Sequence, residues 1–170
     1  INSFDTIGYE KFKQIKYDNK LPKPLNYSFL DVNVLWEIDP VKYPKLSDVI
    51  LNIQNWDMAT DSNSIGAANY AVLYYTLLNN FKNIKHKKLF DEIEIIDLIT
   101  ETKNHLLKHF GSVNIKLGDF QKLVRGNKEI GIFGLPDVIT AMKGNKYMDG
   151  KIKITHGESY ISLVKFKDQK

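Results

Sequence analysis

Apolar side chains recur every three to four residues over most of the first 110 residues, and this spacing predicts a series of helices. The helix that begins near Ser64 is apolar on nearly all sides, so we expect it to be buried. Within it, Gly66, Ala67 and Ala68 would let neighbouring elements pack closely. Gly111 stands where a left-handed glycine commonly ends a helix. The predicted helices cover residues 5–17, 48–55, 64–80 and 90–109.

The pattern changes after Gly111, where glycines become frequent and short alternating runs replace the helical spacing. Strands are predicted at residues 130–133, 151–155 and 159–167, and the last of these is apolar on both faces. The fold class expected is therefore α+β, a mainly helical segment with a few C-terminal strands. We expect one domain over residues 1–170, helical over 1–110, with glycine-rich turns and strands over 111–170.

The connector that follows the first helix is rich in proline and in apolar residues. Pro22 and Pro24 disfavour helix, while Val32, Leu35 and Ile38 make the following stretch too apolar for a free linker. We expect this irregular stretch to lie against the surface of the core.

Composition excludes several classes of function. The chain of 170 residues has no cysteine, which excludes disulfides, thiolate catalysis and cysteine-ligated metals. Its net charge of +4 comes from scattered lysines, with Arg125 as the sole arginine, so nucleic acid is not an expected partner. The one dense basic run, residues 85–88, is interpreted as a solvated loop. No run of apolar residues is long enough for a membrane span, and a membrane partner is not expected.

A polar stretch precedes the buried helix. Asp57 and Asp61 are followed by Ser62, Asn63 and Ser64, whose side chains can accept hydrogen bonds from the free amides of a first helical turn. An acid pair or a calcium site is the alternative, but no calcium-loop pattern of alternating aspartates is present. We expect these residues to cap and anchor the helix.

Glu101, His105 and His109 fall four residues apart and could face one metal ion from a single helix. The usual zinc-hydrolase motif has glutamate directly after its first histidine, and this chain has Leu106 there. A favourable interaction of histidine with the helix C-terminus is the preferred interpretation, with a small metalloenzyme as an alternative.

Other polar groups have structural interpretations as well. Ser3 is expected to cap the first helix, and His156 to Ser159 to link two strands, because triad members usually converge from separate elements. Trp36 and Trp56 are assigned to an aromatic core and not to a ligand groove.

Three segments, in order and covering most of the chain, together resemble the penicillin acylase family of N-terminal nucleophile hydrolases, which includes the acyl-homoserine-lactone acylases. The first is Phe12-Lys13-Gln14-Ile15-Lys16-Tyr17-Asp18 with Leu21-Pro22. The second is Trp56-Asp57 with Asp61-Ser62-Asn63-Ser64 and Gly66-Ala67-Ala68. The third is Leu117-Gly118-Asp119-Phe120 with Arg125-Gly126, Gly134-Leu135-Pro136-Asp137-Val138 and His156-Gly157-Glu158-Ser159-Tyr160-Ile161.

The resemblance implies that the chain is an interior to C-terminal segment of the large subunit of an amidohydrolase, whose strands would join an αββα sheet. Such a parent cleaves the amide bond of an acylated small molecule, such as a β-lactam or an acyl-homoserine lactone. An N-terminal serine attacks the carbonyl and its own α-amine acts as the base. That serine lies outside the matched segments, so no catalytic, cofactor-binding or metal-binding residue is expected in residues 1–170.

The remaining expectations follow from the same resemblance. The partner would be the rest of the acylase chain, a structural calcium would lie elsewhere in the parent, and the location would be periplasmic or secreted. The alternative function is a free-standing helical binding or interaction module without catalysis.

Overall fold

The computed structural model describes residues 7–21, 26–27, 30–81, 88–136, 141–157 and 164. Ser3, Lys85 to Lys87 and, apart from Val164, the predicted strand over 159–167 lie outside the described residues.

The described residues form an α+β fold in which helices dominate the first part of the chain and a mixed sheet the last. In chain order the elements are α1 (Tyr9–Lys16), β1 (Asn26–Tyr27), β2 (Leu30–Asp31), α2 (Ser47–Gln54), α3 (Ile65–Asn80), β3 (Lys88–Leu89), α4 (Glu92–Phe110), α5 (Leu117–Phe120), β4 (Gln121–Arg125), β5 (Lys128–Gly131), β6 (Met142–Lys146) and β7 (Ile152–Gly157). Short 3-10 turns lie at Asn33–Trp36 and Met148–Gly150.

The helix predictions are confirmed within a few residues at each end. Ser64 caps α3, because its hydroxyl oxygen accepts a hydrogen bond from the Ala67 amide at 3.1 Å. Gly111 ends α4 in the left-handed conformation, with φ of 70°. Helix α2 begins one residue earlier than predicted, at Ser47, whose hydroxyl donates to the Pro44 carbonyl.

Helix α3 is the centre of the core. It packs against α2, α4 and α5, and ten of its residues are buried. At its first turn, Gly66 lies directly under Trp56, whose indole ring also stacks on Tyr70 with ring centres 5.2 Å apart. The expected close packing of the small residues is therefore confirmed.

Two polar features stabilise α4. Asp91 and Glu94 form a reciprocal capping box at its first turn, which satisfies two backbone amides. Lys103 reaches from α4 to both carboxylate oxygens of Asp48 at 2.7 and 2.8 Å and to the Lys45 carbonyl. These bonds of Lys103 tie the start of α2 to the middle of α4.

The stretch between α1 and α2 lies on the core as expected. Val32, Leu35 and Ile38 are buried, and Gln54 of α2 donates to the carbonyls of Leu35 and Ile38 at 3.0 and 2.8 Å. Strand β2 also pairs with β1 and β3 in a small sheet that the hydrophobic pattern did not predict.

The C-terminal sheet has the strand order β5-β4-β7-β6, with β4 and β7 parallel and both outer pairs antiparallel. Strands β5 and β7 confirm predicted strands with shifted ends, since β7 continues through His156 to Gly157. The link expected at His156 and Gly157 is therefore wrong for these two residues, which pair with β6. Strands β4 and β6 were not predicted, because they are rich in lysine, asparagine and glutamine and alternate poorly.

Replacement of Gly66 by alanine should destabilise the fold by about 2 kcal/mol or more. The new methyl group would overlap the Trp56 side chain and come within 2.7 Å of the Asn52 carbonyl oxygen, and neither can move without disturbing the core. The cost of this steric overlap exceeds the gain in stability of about 1 kcal/mol that alanine usually brings over glycine inside a helix. Urea unfolding followed by far-ultraviolet circular dichroism measures the change.

Gly8→Ala is the matched control, because a methyl group at Gly8 meets nothing within 4 Å. It should change the unfolding free energy by less than about 0.5 kcal/mol. Equal effects of the two substitutions would contradict the assigned contact between Gly66 and Trp56.

Candidate functional site

The loop that leads into α3, residues 58–64, accepts backbone hydrogen bonds from distant parts of the chain. The carbonyl of Met58 accepts from the Leu21 amide at 3.1 Å, and that of Thr60 accepts from the Gly134 amide at 2.9 Å. Ser62 and Ser64 follow the same pattern, as their carbonyls accept from the amides of Gly118 at 2.8 Å and Leu117 at 3.0 Å. Alternate residues of the loop therefore bind three separate segments.

Thr60 is the most buried polar residue of this loop. Its amide and its hydroxyl both donate to the Asn19 carbonyl, at 3.0 and 2.8 Å, and its side chain has no exposed surface. Because buried backbone groups must be paired, these bonds fix where the first, middle and last parts of the chain meet.

The turn before the loop is held by side chains of Trp56 and Asp57. The indole N–H of Trp56 donates to the Ala59 carbonyl at 2.7 Å, and the Asp57 carboxylate accepts from the Ala59 amide at 3.0 Å. Met58, between Asp57 and Ala59, adopts a φ of 67°. This left-handed conformation costs a residue with a side chain on the order of 1 kcal/mol. The amide of Ala59, with a smaller contribution from the Lys20 ammonium, lowers the pKa of Asp57 below its usual value.

The predicted capping role of Asp57 and Asp61 is wrong, whereas their anchoring role is confirmed. Asp57 binds Ala59 and the Lys20 ammonium, and Asp61 accepts from the Asn19 side-chain amide at 2.9 Å. Ser64 supplies the cap in their place. Both aspartates attach the connector after α1 to the loop.

A second polar region lies at the opposite end of α3. There a cleft of about 380 Å³ opens between the C-terminal half of α3, the last turns of α4 and the connection from β6 to β7. His105 and His109 line it, with ring centres 4.7 Å apart. The Nε2 atom of His105 lies 2.7 Å from the Gly150 carbonyl oxygen, which can only accept, so Nε2 carries the proton.

Gly150 is required at this contact for two reasons. Its φ is 73°, in the left-handed region, and a methyl group there would overlap the His109 ring. Asp149, the residue before it, also has a positive φ, of 56°.

Glu101, the remaining member of the hypothetical metal triad, contacts a different partner. Both of its carboxylate oxygens accept from the Asn80 side chain, at 3.1 and 3.3 Å. Within the described ranges, no three histidine, aspartate or glutamate side chains form a group that could hold a metal ion. The structure therefore does not bring the triad together.

The other candidate residues have mixed outcomes. Trp56 is buried and Trp36 packs partly buried against the core, which confirms the aromatic-core interpretation for both. His156 lies on β7 next to the Thr155 hydroxyl, while Glu158 and Ser159 are outside the described residues. Lys88 pairs with Glu94 at 2.6 Å and covers the Phe90 ring.

The sequence analysis did not predict that α3, α4 and the connection from β6 to β7 together form a cleft. Its third wall includes Lys146 at the end of β6, with Tyr147 and Gly150 after it, and β6 was not predicted. Asp149-Gly150 is a common turn sequence, but nothing in the spacing of residues indicates that this turn packs on His105 and His109.

No family model and no curated protein matches this chain. Among the described residues, no helix combines the length and the hydrophobicity needed to cross a membrane. The function must accordingly be argued from the residues and their geometry.

The buried position of His105 predicts a pH-dependent contribution to stability. Burial lowers the pKa of His105, and the nearby cations His109, Lys146 and Lys108 add to that effect, while the bond to Gly150 opposes it. Because the pKa in the folded state lies below the unfolded value of about 6.5, this contribution is present above that value. It is lost as the pH falls through the lower folded value.

Unfolding free energies measured at about pH 7 and about pH 5 in urea should therefore fall more for the native chain than for His105→Gln. Glutamine can still donate to the Gly150 carbonyl but does not titrate. His156→Gln, at an exposed histidine of β7, should retain the full native pH dependence. A His105→Gln protein with an unchanged pH dependence would contradict the assignment.

Proposed function

We propose that this chain is a structural segment of a penicillin acylase-like amidohydrolase, in which it supports a catalytic site carried by another part of the polypeptide. The parent would cleave the amide bond of an acylated small molecule such as a β-lactam or an acyl-homoserine lactone. In this role the segment supplies packing surfaces and strands, and the attacking serine comes from elsewhere in the parent.

The convergence of the three resemblance segments at one junction is the observation that carries this proposal. Leu21 belongs to the first segment, Ser62 and Ser64 belong to the second, and Leu117, Gly118 and Gly134 belong to the third. All are joined through backbone groups at the 58–64 loop. Residues that resemble one family in sequence thus form one structural unit, which supports their being inherited together for packing.

The tasks of the polar side chains in these segments also support a structural role. Asp57 holds the turn, Thr60 fixes Asn19, Ser64 caps α3, and Asp119 accepts from the Lys116 amide at 3.0 Å. Each of these groups is engaged in a bond that shapes the backbone. A nucleophile with its own base would need a hydroxyl and a proton acceptor facing a substrate.

Helix α1 supports the association with further polypeptide. None of its residues is buried against the described part of the chain, and the Phe12 ring is 47% exposed. An amphipathic helix gains most of its stability from packing its apolar face. The remainder of the acylase chain is the partner that we propose for this face.

The chain of 170 residues, purified alone, should not hydrolyse chromogenic phenylacetyl or fatty-acyl amides above the rate of a buffer control. In the complete parent, obtained by extending the coding sequence upstream to the self-cleaving serine, the same amides should be cleaved. Turnover by the 170-residue chain alone would overturn the proposal. A coding sequence without such a serine would favour the alternative, a binding module without catalysis.

Thr60→Val in the parent should lower stability by about 1 kcal/mol and leave kcat per correctly folded active site unchanged. Valine keeps the shape of threonine but loses the hydroxyl bond to the Asn19 carbonyl. Thermal unfolding and active-site titration separate the two effects. Thr100→Val is the control, since Thr100 is exposed and its hydroxyl bonds only within α4, to the Ile96 carbonyl.

A further inference from the structure

Two histidines of α4 contact the connection from β6 to β7, residues 147–151. His105 donates from Nε2 to the Gly150 carbonyl at 2.7 Å, and the His109 ring lies so close to Gly150 that an added methyl group would overlap it. No residue of the 3-10 turn Met148–Gly150 is buried. The connection is therefore attached to α4 through the two histidines and not through an apolar core of its own.

The connection in turn helps to keep the His105 ring from water. The rings of His109, Phe110 and Phe120 surround it, with ring centres 4.7, 6.2 and 6.1 Å away. Gly150 covers the edge of the ring that carries Nε2. Water stabilises the charged form of an imidazole, and burial disfavours it. Removal of the connection would therefore make the ring easier to protonate.

Charged and titratable groups lie on every element around His105 and the connection. They are the cations Lys108, His109, Lys146 and Lys151, the carboxylates Glu101, Glu129 and Asp149, and the phenols Tyr75 and Tyr147. Burial, together with His109, Lys146 and Lys108, lowers the pKa of His105 below its ordinary value, and the bond to Gly150 opposes this effect only in part. The closed arrangement therefore favours the neutral ring.

We propose that His105 and His109 form a histidine latch, which holds the β6–β7 connection on α4 at neutral pH and releases it in mildly acidic solution. A group that is harder to protonate in the closed form shifts the equilibrium towards the open form as protons bind. The closed form is therefore favoured above the ordinary histidine value of about 6.5, and this preference is lost as the pH falls through the lower value of the closed form. Two charged rings with centres 4.7 Å apart would also repel each other.

The connection is suited to open without the rest of the fold. Its own backbone bonds run from the Tyr147 amide to the Lys151 carbonyl at 2.8 Å and from the Lys151 amide to the Met148 carbonyl at 3.2 Å. Asp149 has a φ of 56°, a left-handed conformation that is unfavourable for a residue with a side chain. Segments with few buried contacts open locally. Release would widen the cleft, because the connection forms one of its walls. This behaviour does not depend on the place of the chain in a larger hydrolase.

Amide hydrogen exchange of the unmodified chain at about pH 7 and about pH 5 tests the latch. The intrinsic rate of an unstructured peptide at the same pH, divided by each measured rate, gives a protection factor. The protection factors of the Tyr147 and Lys151 amides should fall more than about twofold at the lower pH. The amides of Gly118 and Gly134 donate to the 58–64 loop and measure opening of the whole fold, so their protection factors should fall less.

Three substitutions assign the effect to His105 and its surroundings. His105→Gln should abolish the additional loss at Tyr147 and Lys151, because glutamine can donate to the Gly150 carbonyl but does not titrate. Lys146→Met should reduce that loss and raise the pKa of His105 measured from its ring protons by NMR, because one nearby cation is removed. Lys143→Met, at an exposed residue of β6 that does not line the cleft, should leave both quantities unchanged.

Four results would each overturn the proposal. The Tyr147 and Lys151 amides would be unprotected at about pH 7, or their protection would be the same at about pH 5. Gly118 and Gly134 would lose protection equally, which would mean that acid acts on the whole fold. A His105→Gln protein would retain the full loss of the native chain. The exchange measurement on the unmodified chain needs no variant, so it decides the matter even where a substitution impairs folding.

Discussion

The fold depends on the pairing of backbone groups in the 58–64 loop. This loop is too irregular to satisfy its own carbonyls, and it is packed against the core, where unpaired groups are costly. Amides from the connector after α1, from α5 and from the segment after β5 donate hydrogen bonds to these carbonyls. One short loop therefore decides how parts of the chain more than seventy residues apart are arranged around α3.

The close approaches at glycine have the same origin. Gly66 lets Trp56 lie on the first turn of α3, and Gly118 lets its segment pass close to Gly131 of β5, where an added methyl group would lie 2.9 Å from the Gly118 carbonyl carbon. Backbone hydrogen bonds require short distances between main chains, and a side chain at either place would hold them apart. The small residues and the loop carbonyls are thus two aspects of one packing arrangement.

The helical half could be predicted because its apolar residues repeat with the helical period and Ser64 and Gly111 mark two helix ends. The sheet could be predicted only in part. Strand β4 begins with Gln121, which is fully buried because its side-chain amide donates to the Gly134 carbonyl at 2.8 Å. A polar residue buried through one tertiary contact leaves no periodic signal, and the same holds for the contact between His105 and Gly150. The sequence did not distinguish Ser64 from the two aspartates as the cap of α3, since several capping residues stand side by side and only geometry separates them.

The two ends of α3 differ in how their polar groups are used. At the first turn, carboxylates, hydroxyls and carbonyls are consumed by bonds that shape the backbone, so a change there alters stability before it alters any chemistry. At the last turns, side chains of α3 and α4 bond to the sheet and its connection, because the Tyr75 hydroxyl accepts from the Gly144 amide and His105 donates to the Gly150 carbonyl. Within the described residues, the polar groups at both ends of α3 therefore serve to join elements that are distant in sequence.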